Sequence, residues 1–296
     1  MKNIIIPNQE KLDKIRAAMV QGGAANLHVL ADFDRTLTRA FVNGEEVSSI
    51  MAILREENYM SPDYPEKAKA LFDEYHPIEV DTKVQPEVKK EKMEEWWRKH
   101  FELLIASGMN KRDLAKVLTS SKIQFREGTR EFLGYLHERG IPIVILSSSG
   151  LGEEIISMYL EKEGCLYDNV HIVGNAFEWD GDGNVTGVKE PIIHVANKNE
   201  TVFEGMSFYP KIQARRNVIL LGDNIEDNGM VEGFDYDNLL RVGFLNKNVD
   251  ENLSDYEANF DVVVTHDGDM SFVNEFVQKC AEGREGDEGN GEIEQK

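Results

Sequence analysis

Cysteine, basic charge and long apolar runs are what this sequence has least of, and each shortage removes a class of protein. Two cysteines in 296 residues, Cys165 and Cys280, are too few for a disulfide framework and suit a reducing compartment. Lysine and arginine number 33 against 54 aspartates and glutamates, a net charge of −21, so neither a nucleic-acid backbone nor an anionic membrane surface is the expected partner. The opening MKNIIIPNQEK holds three consecutive apolar residues before Pro7, too short for a signal-peptide core, and no later run is long enough to span a bilayer. A cytoplasmic protein is expected. Its anionic ligands must be drawn in by local cations, because the overall field repels them. There is no internal repeat.

What is present is an ordinary globular composition, 41% hydrophobic and 29% charged, in a chain long enough to bury a sizeable core. A helix is expected from Glu10 to Gln21, stopped by Gly22 and Gly23, and then a strand around Val29 to Ala31. From Val42 to Phe125 the pattern is helical, with amphipathic segments Ser48–Glu57, Glu66–Tyr75, Glu87–Ala106 and Lys111–Ser120 and no strand. Alternation begins after Gly128: helix Thr129–Arg139, strand Ile141–Leu146, helix Glu153–Glu163, strand Asn217–Leu221, then apolar segments Leu239–Leu245 and Phe260–Val264. The expected fold is α/β with a Rossmann-like parallel sheet and right-handed crossovers. Residues 1–42 and 126–280 would form the core, 43–125 a helical cap inserted after the first strand, and 281–296 a disordered acidic tail.

The strand around Val29 ends in Asp32, Phe33, Asp34, Arg35, Thr36. Two carboxylates two residues apart fall on the same side of the chain, at the carboxyl end of a parallel strand where open α/β sheets place ligands. They repel each other unless a cation lies between them, which points to a divalent metal and a reacting group. The matching chemistry is phosphoryl transfer through an aspartyl-phosphate. Asp32 attacks phosphorus, Asp34 protonates the leaving oxygen and later deprotonates water, and Thr36 orients Asp34. An acid at the second position favours a phosphomonoester, whose alkoxide leaving group needs a proton, over an anhydride.

Three later segments have the right character to join this pair. Ser147, Ser148, Ser149 and Gly150 form a strand-to-helix turn whose free N–H groups suit a phosphate. Gly222 to Asp227, GDNIED, offers Asp223 to complete a metal site and Asp227 to support either that site or the lysine. Lys198 could neutralise phosphate and Asp32.

The set Asp32/Asp34, Ser147, Lys198, Asp223/Asp227 follows the order used by haloacid dehalogenase-like phosphatases. More specifically, the chain resembles the cytosolic 5′-nucleotidase III (pyrimidine 5′-nucleotidase) family from about Glu10 to Cys280. The motifs that carry this are GGAANLHVLADFDRTLTR, YHPIEVD, KMEEWWRKH, REGTREFLGYLHERGIPIVILSSSGLGEE, NAFEWDGDGNVTGVK, IIHVANKN, NVILLGDNIED and VGFLN. The resemblance implies Mg²⁺ held by the Asp32 carboxylate, the Asp34 carbonyl and Asp223, with Ser147, Ser148 and Lys198 on the phosphate oxygens. The serine turn is one residue longer than the family's Ser-Ala-Gly pattern, so either Ser148 or Ser149 supplies the second contact.

The resemblance also places Glu79, in YHPIEVD, as a base-recognising acid. Trp97 and His100, three apart on the following helix, share a face beside Trp96. His100 stands where pyrimidine-preferring relatives carry a small serine. An aromatic wall opposite a carboxylate suits a cationic base such as 7-methylguanine. The expected activity is Mg-dependent hydrolysis of pyrimidine nucleoside 5′-monophosphates, 7-methylguanosine 5′-monophosphate or both, with phosphotransfer to nucleosides as a second outcome of the covalent intermediate. The oligomeric expectation is a monomer. The alternatives are a phosphatase for another small metabolite, or a phosphate-responsive signalling module, which would have little use for Asp34 or a substrate-enclosing cap. DGDGN at Asp180–Asn184 resembles a calcium loop, but Val185 and Pro191 stand where glycine and glutamate belong, so a hairpin turn is expected. Cys165 has no partner at metal spacing and reads as packing.

Overall fold

The computed structural model describes residues 3–47, 49–56, 59–81, 83–203, 205–233 and 235–283. In chain order the elements are β1 (Ile4–Ile5), α1 (Gln9–Gly22), β2 (Leu27–Ala31), β3 (Phe41–Val42), β4 (Glu45–Glu46), α2 (Ile50–Glu56), α3 (Tyr64–Val80), α4 (Pro86–Ala106), α5 (Lys111–Val117), α6 (Thr129–Glu138) and β5 (Ile143–Leu146). There follow α7 (Gly152–Lys162), β6 (Val170–Val173), β7 (Phe177–Trp179), β8 (Val185–Val188), α8 (Tyr209–Gln213), β9 (Asn217–Gly222), β10 (Asn238–Leu245), α9 (Val249–Asn259), β11 (Val262–Thr265) and α10 (Ser271–Glu282).

Seven strands form one sheet in the order β1-β11-β10-β9-β2-β5-β6, parallel throughout except for the antiparallel edge strand β1. Strands β2, β5 and β9 are buried at every position because both faces of the sheet are covered, and they are apolar apart from His28 and Asn217. Alternate side chains divide between two cores: Val29, Ile145, Ile219, Leu221 and Val242 on one face, and Leu30, Val144, Leu146, Val218 and Leu220 on the other. The α/β architecture is as expected. Register then fixes the site, because Ala31 lies opposite Leu221 on β9 and Ile145 on β5. The residues that follow these three positions, Asp32, Asp223 and Ser147, therefore emerge at one edge of the sheet.

Helices α2 to α5 come between β2 and α6 in sequence. The α3/α4 pair has its own small core of Tyr75, Met93 and Trp96. A hairpin of β7 and β8 reaches up to these helices: Lys111 N–H donates to Gly183 O at 2.9 Å and Val185 N–H to Met109 O at 2.9 Å. Asp180 organises its turn by accepting from Asp182 N and Asn184 N, at 2.9 and 2.8 Å, so DGDGN is a hairpin turn as expected.

Several elements differ from expectation. Val42–Phe125 is not free of strand, since β3 and β4 pair across Asn43-Gly44, with positive φ at both turn residues (54° and 83°), the backbone an Asn-Gly hairpin requires. Helix α3 does not stop at Tyr75 but continues through Pro77 to Val80. Pro77 leaves the Asp73 carbonyl without its helical partner, a loss tolerated because both residues are exposed to solvent. Strands β1 and β6 are additional to those expected. Helix α10 continues to Glu282, past the start expected for the acidic tail, whose residues 284–296 lie outside the described residues, as do Ser48 and Glu57 at the ends of the expected second helix.

Candidate active site

Asp32 follows β2 directly, its N–H donating to Leu221 O at 3.0 Å, which ties the carboxylate to the end of β9. Lys198 Nζ donates to Asp32 Oδ1 at 2.5 Å and to Asp227 Oδ1 at 2.8 Å, so one ammonium bridges two acids from different strand ends. Asp32, Asp223 and Asp227 each bring a carboxylate oxygen within 4.8 Å of the others. Three oxygen donors with one buried ammonium leave a net negative site, which fits a hard divalent cation. The close approach depends on Gly222: a Cβ there would sit 2.5 Å from the Asp227 Cβ and Oδ2. Asp227 is aimed by its own turn, Oδ2 accepting from Asn224 N at 3.1 Å.

Burial dominates the acid–base character of the group. It raises the Asp32 carboxyl above the usual aspartate range, against the pull of Lys198. Burial likewise pushes Asp223 up to about 8, with the Arg35 guanidinium opposing and the Asp32 charge assisting. Asp34 is pushed up to about 6, first by burial and then by its neighbour Asp32. Burial alone would lower the Lys198 ammonium, but Asp227 and Asp32 more than offset it and its pKa stands above the ordinary lysine value.

One expected contact differs. The Thr36 hydroxyl does not orient Asp34: it is fully buried and has no hydrogen-bond partner among the described residues. Asp34 Oδ1 instead accepts from Ile50 N, at the start of α2, at 3.3 Å. The hydroxyl that shapes the loop is Thr38, which accepts from Arg35 N at 2.9 Å and donates to Phe33 O at 3.3 Å. The cause is Arg35, whose left-handed φ of +59° turns the chain sharply after Asp34. Arg35 also faces Asp223, Nε to Oδ2 at 3.4 Å. Neither Arg35 nor Thr38 was singled out from the motif, because the turn is invisible in its spacing.

On the β5 side, Ser147 Oγ accepts from Ser149 N at 3.2 Å, curling the serine turn before α7 begins at Gly152. Ser147 is buried and Ser148 half-buried. The α4 face lands on this turn. A Cβ at Gly150 would be 2.7 Å from the Trp97 ring and 3.2 Å from His100 Nε2. Trp97 and His100 pack edge to face at 5.5 Å, while Trp96, stacked between Tyr75 and Trp97, is core. Burial pushes His100 down to about 3, with the Arg55 charge assisting, so its ring is neutral, and Nε2 has no hydrogen-bond partner among the described residues. Glu79 is on the last turn of α3, half-buried, with His76 Nδ1 at 2.9 Å. Its own carbonyl accepts from Lys89 Nζ at 2.8 Å, and the same ammonium lies 3.6 Å from Glu226 in the GDNIED turn. The expected residues thus divide into a tight cluster (Asp32, Asp223, Asp227, Lys198), with Asp34 beside it, a neighbouring turn (Ser147, Ser148), and helix residues that reach the turn (Trp97, His100) or the opposite rim (Glu79).

This arrangement has counterparts. The family model described as Pyrimidine 5'-nucleotidase (UMPH-1) matches residues 35–281. A 7-methylguanosine phosphate-specific 5'-nucleotidase A from Xenopus laevis is 33% identical over 271 residues, 91% of each chain. A putative cytosolic 5'-nucleotidase 3 from Caenorhabditis elegans is 34% identical over 88% of this chain and 70% of its own. Among solved structures, cytosolic 5'-nucleotidase IIIB bound to cytidine superposes with a TM-score of 0.86 at 26% identity, covering 96% of this chain and 95% of that one. A substrate-bound phosphoserine phosphatase, at 19% identity and a TM-score of 0.52 over 85% and 97%, shares the fold. With a fold shared with phosphoserine phosphatase and a family match running through residues 35–281, the chain belongs to the pyrimidine 5'-nucleotidase family and is a 5'-nucleotidase, a phosphoric monoester hydrolase.

Proposed function

We propose that the enzyme hydrolyses nucleoside 5′-monophosphates by way of a phosphorylated Asp32, and that 7-methylguanosine 5′-monophosphate is among its preferred substrates. The observation that carries the reading is the bridge of Lys198 between Asp32 and Asp227, beside Asp223. An ammonium in contact with the nucleophile quiets its charge as an anionic phosphate approaches and remains to hold the transferred oxygens. The Asp32 oxygen attacks phosphorus, the bond to O5′ breaks, and Asp34 gives its proton to that oxygen, releasing the nucleoside. A carboxyl raised to about 6 is well matched to holding that proton near neutrality. Asp34 then takes a proton from water, which attacks the phosphorylated Asp32 and frees phosphate. Asp32, the Asp34 carbonyl and Asp223 are the proposed ligands of Mg²⁺, with Asp227 supporting Lys198. Bound there, Mg²⁺ would supply positive charge against the carboxylates and the phosphate oxygens. Ser147 and Ser148 are assigned to phosphate.

The helices of residues 43–125 are proposed as a cap that selects the base. Trp97 offers a half-buried indole, His100 a neutral wall and Glu79 a carboxylate, a combination suited to a stacked, positively charged purine. The names of most of the relatives at 33–34% identity favour the same base, and the cytidine-bound relative keeps pyrimidines as a second substrate class. The test is a screen of nucleoside monophosphates with Mg²⁺, run beside Asp32→Asn and beside EDTA. Phosphate release lost in both controls is expected, with 7-methylguanosine monophosphate at least as good as UMP and CMP. Far faster cleavage of UMP and CMP would sink the base assignment, and an active Asp32→Asn enzyme would sink the mechanism. Labelled nucleotide formed when nucleoside is added would report interception of the intermediate.

A further inference from the structure

We propose that Arg126 and Asp267 are a positioning pair that fixes the loop following Asp34 and so aims the proton donor at the leaving oxygen. The inference rests on the reading of Asp34 as general acid. Arg126 is 1% exposed, and its guanidinium is spent on main chain. Nε donates to Thr36 O at 2.7 Å, Nη1 to Gly268 O at 2.6 Å, and Nη2 to Arg35 O and, at 3.0 Å, to Asn246 Oδ1. Asn246 Nδ2 donates to the same Arg35 carbonyl at 3.0 Å. The Arg126 guanidinium also lies 4.3 Å from the centre of the Phe244 ring. Its ion partner is Asp267, Nη1 to Oδ1 at 3.2 Å. That carboxylate receives the next part of the loop: Oδ1 accepts from Ala40 N at 2.9 Å and Oδ2 from Phe41 N at 3.1 Å. One ion pair thus grips residues 35, 36, 40 and 41 from the end of β11.

The grip matters because the loop leaves Asp34 through a residue with φ of +59°, a conformation that arginine adopts only when its surroundings impose it. Among the described residues Asp34 has a single side-chain hydrogen bond, the 3.3 Å contact with Ile50 N, which is too long to set its direction alone. The plane of the peptide after Arg35 therefore helps set the direction, and Arg126 and Asn246 hold its oxygen. Arg126 also begins the return from the inserted helices, its N–H donating to Leu37 O at 2.9 Å, so the chain entering and the chain leaving them are pinned together. A planar fork is needed, because lysine offers no equivalent set of fixed donors.

The test compares two substrates on the Mg²⁺-loaded enzyme: a nucleoside 5′-monophosphate, and its analogue with sulfur in place of the bridging O5′, whose thiolate leaves without a proton. Asp34→Asn is the reference. Asp267→Asn and Arg126→Lys are expected to lower kcat for the oxygen ester by about 10–100-fold with KM nearly unchanged, while kcat for the sulfur analogue falls by less than about threefold, following general-acid loss. Thermal melts confirm that the variants compared are folded, and Asp267→Asn serves if Arg126→Lys is not. Equal losses on both substrates, or none, beside a leaving-group-selective Asp34→Asn overturn the positioning pair alone. An Asp34→Asn enzyme without selectivity overturns the general-acid reading, and the pair with it.

Discussion

Asp223 is asked to be ionised by its chemistry and neutral by its surroundings. Burial holds its pKa up at about 8, far above an unfolded aspartate near 3.9. A carboxyl whose pKa rises on folding contributes stability that is present below the unfolded value and lost as pH climbs through the folded one. The metal-free protein should therefore lose stability from this residue between about pH 4 and pH 8. A divalent cation reverses the preference by stabilising the ionised form. Two outcomes follow in thermal melts at pH 7.5: Mg²⁺ should raise Tm and EDTA abolish the gain, and Asp223→Asn should raise the metal-free Tm by roughly 2–8 °C while erasing the Mg²⁺ response. A variant that melts lower without metal would contradict the assignment. Asp32, Asp34, Asp223 and Asp227 were legible in the sequence because they follow apolar strands, and Lys198 only through its place in the order of motifs. The surroundings of Thr36, Arg126 and Asp267 are not legible for a shared reason: they depend on the left-handed turn at Arg35 and on hydrogen bonds to main-chain carbonyls and N–H groups, which leave no trace in residue spacing.

Helix α4 and the serine turn meet through the absence of a side chain. Gly150 lets Trp97 and His100 approach the turn that carries Ser147 and Ser148, so the proposed base wall and the proposed phosphate turn share one contact. Gly150→Ala should push α4 away. The Cβ would overlap the Trp97 ring by enough that the helix must shift, an overpacking cost of about 1–3 kcal/mol. Because the proposed nucleophile and metal ligands lie on the other strand ends, KM for nucleotides should rise several-fold to about tenfold, with kcat changed less. Steady-state kinetics on two nucleotides would check this, and an unchanged KM would show that α4 does not close on the turn during catalysis. The long amphipathic helices and buried strands were readable because burial on one stripe or on both faces writes a period into the sequence. Elements without that imprint were not. Strand β6 is a four-residue edge with His171 and Ile172 only half-buried, β1 is two residues at the opposite edge, and β3/β4 is a bare Asn-Gly turn between two-residue strands. Pro77 hid the last turn of α3, which is the turn that carries Glu79.

At the scale of the whole molecule, a net charge of −21 faces a dianionic substrate. No helix among the described residues is long and apolar enough to cross a membrane, and the site's own cations, Lys198 and Arg35, are already engaged by carboxylates. The approaching nucleotide therefore meets repulsion until it is close enough to feel the site itself. Screening shortens the reach of that repulsion: the Debye length falls from about 30 Å at 0.01 M to about 10 Å at 0.1 M, below the dimensions of the protein, while contacts inside a buried site are screened far less. With Mg²⁺ held saturating, kcat/KM should rise a few-fold as NaCl increases over that range, and kcat should stay nearly constant. A fall in kcat/KM would mean that local cations, and not the overall acidic field, govern capture of the nucleotide.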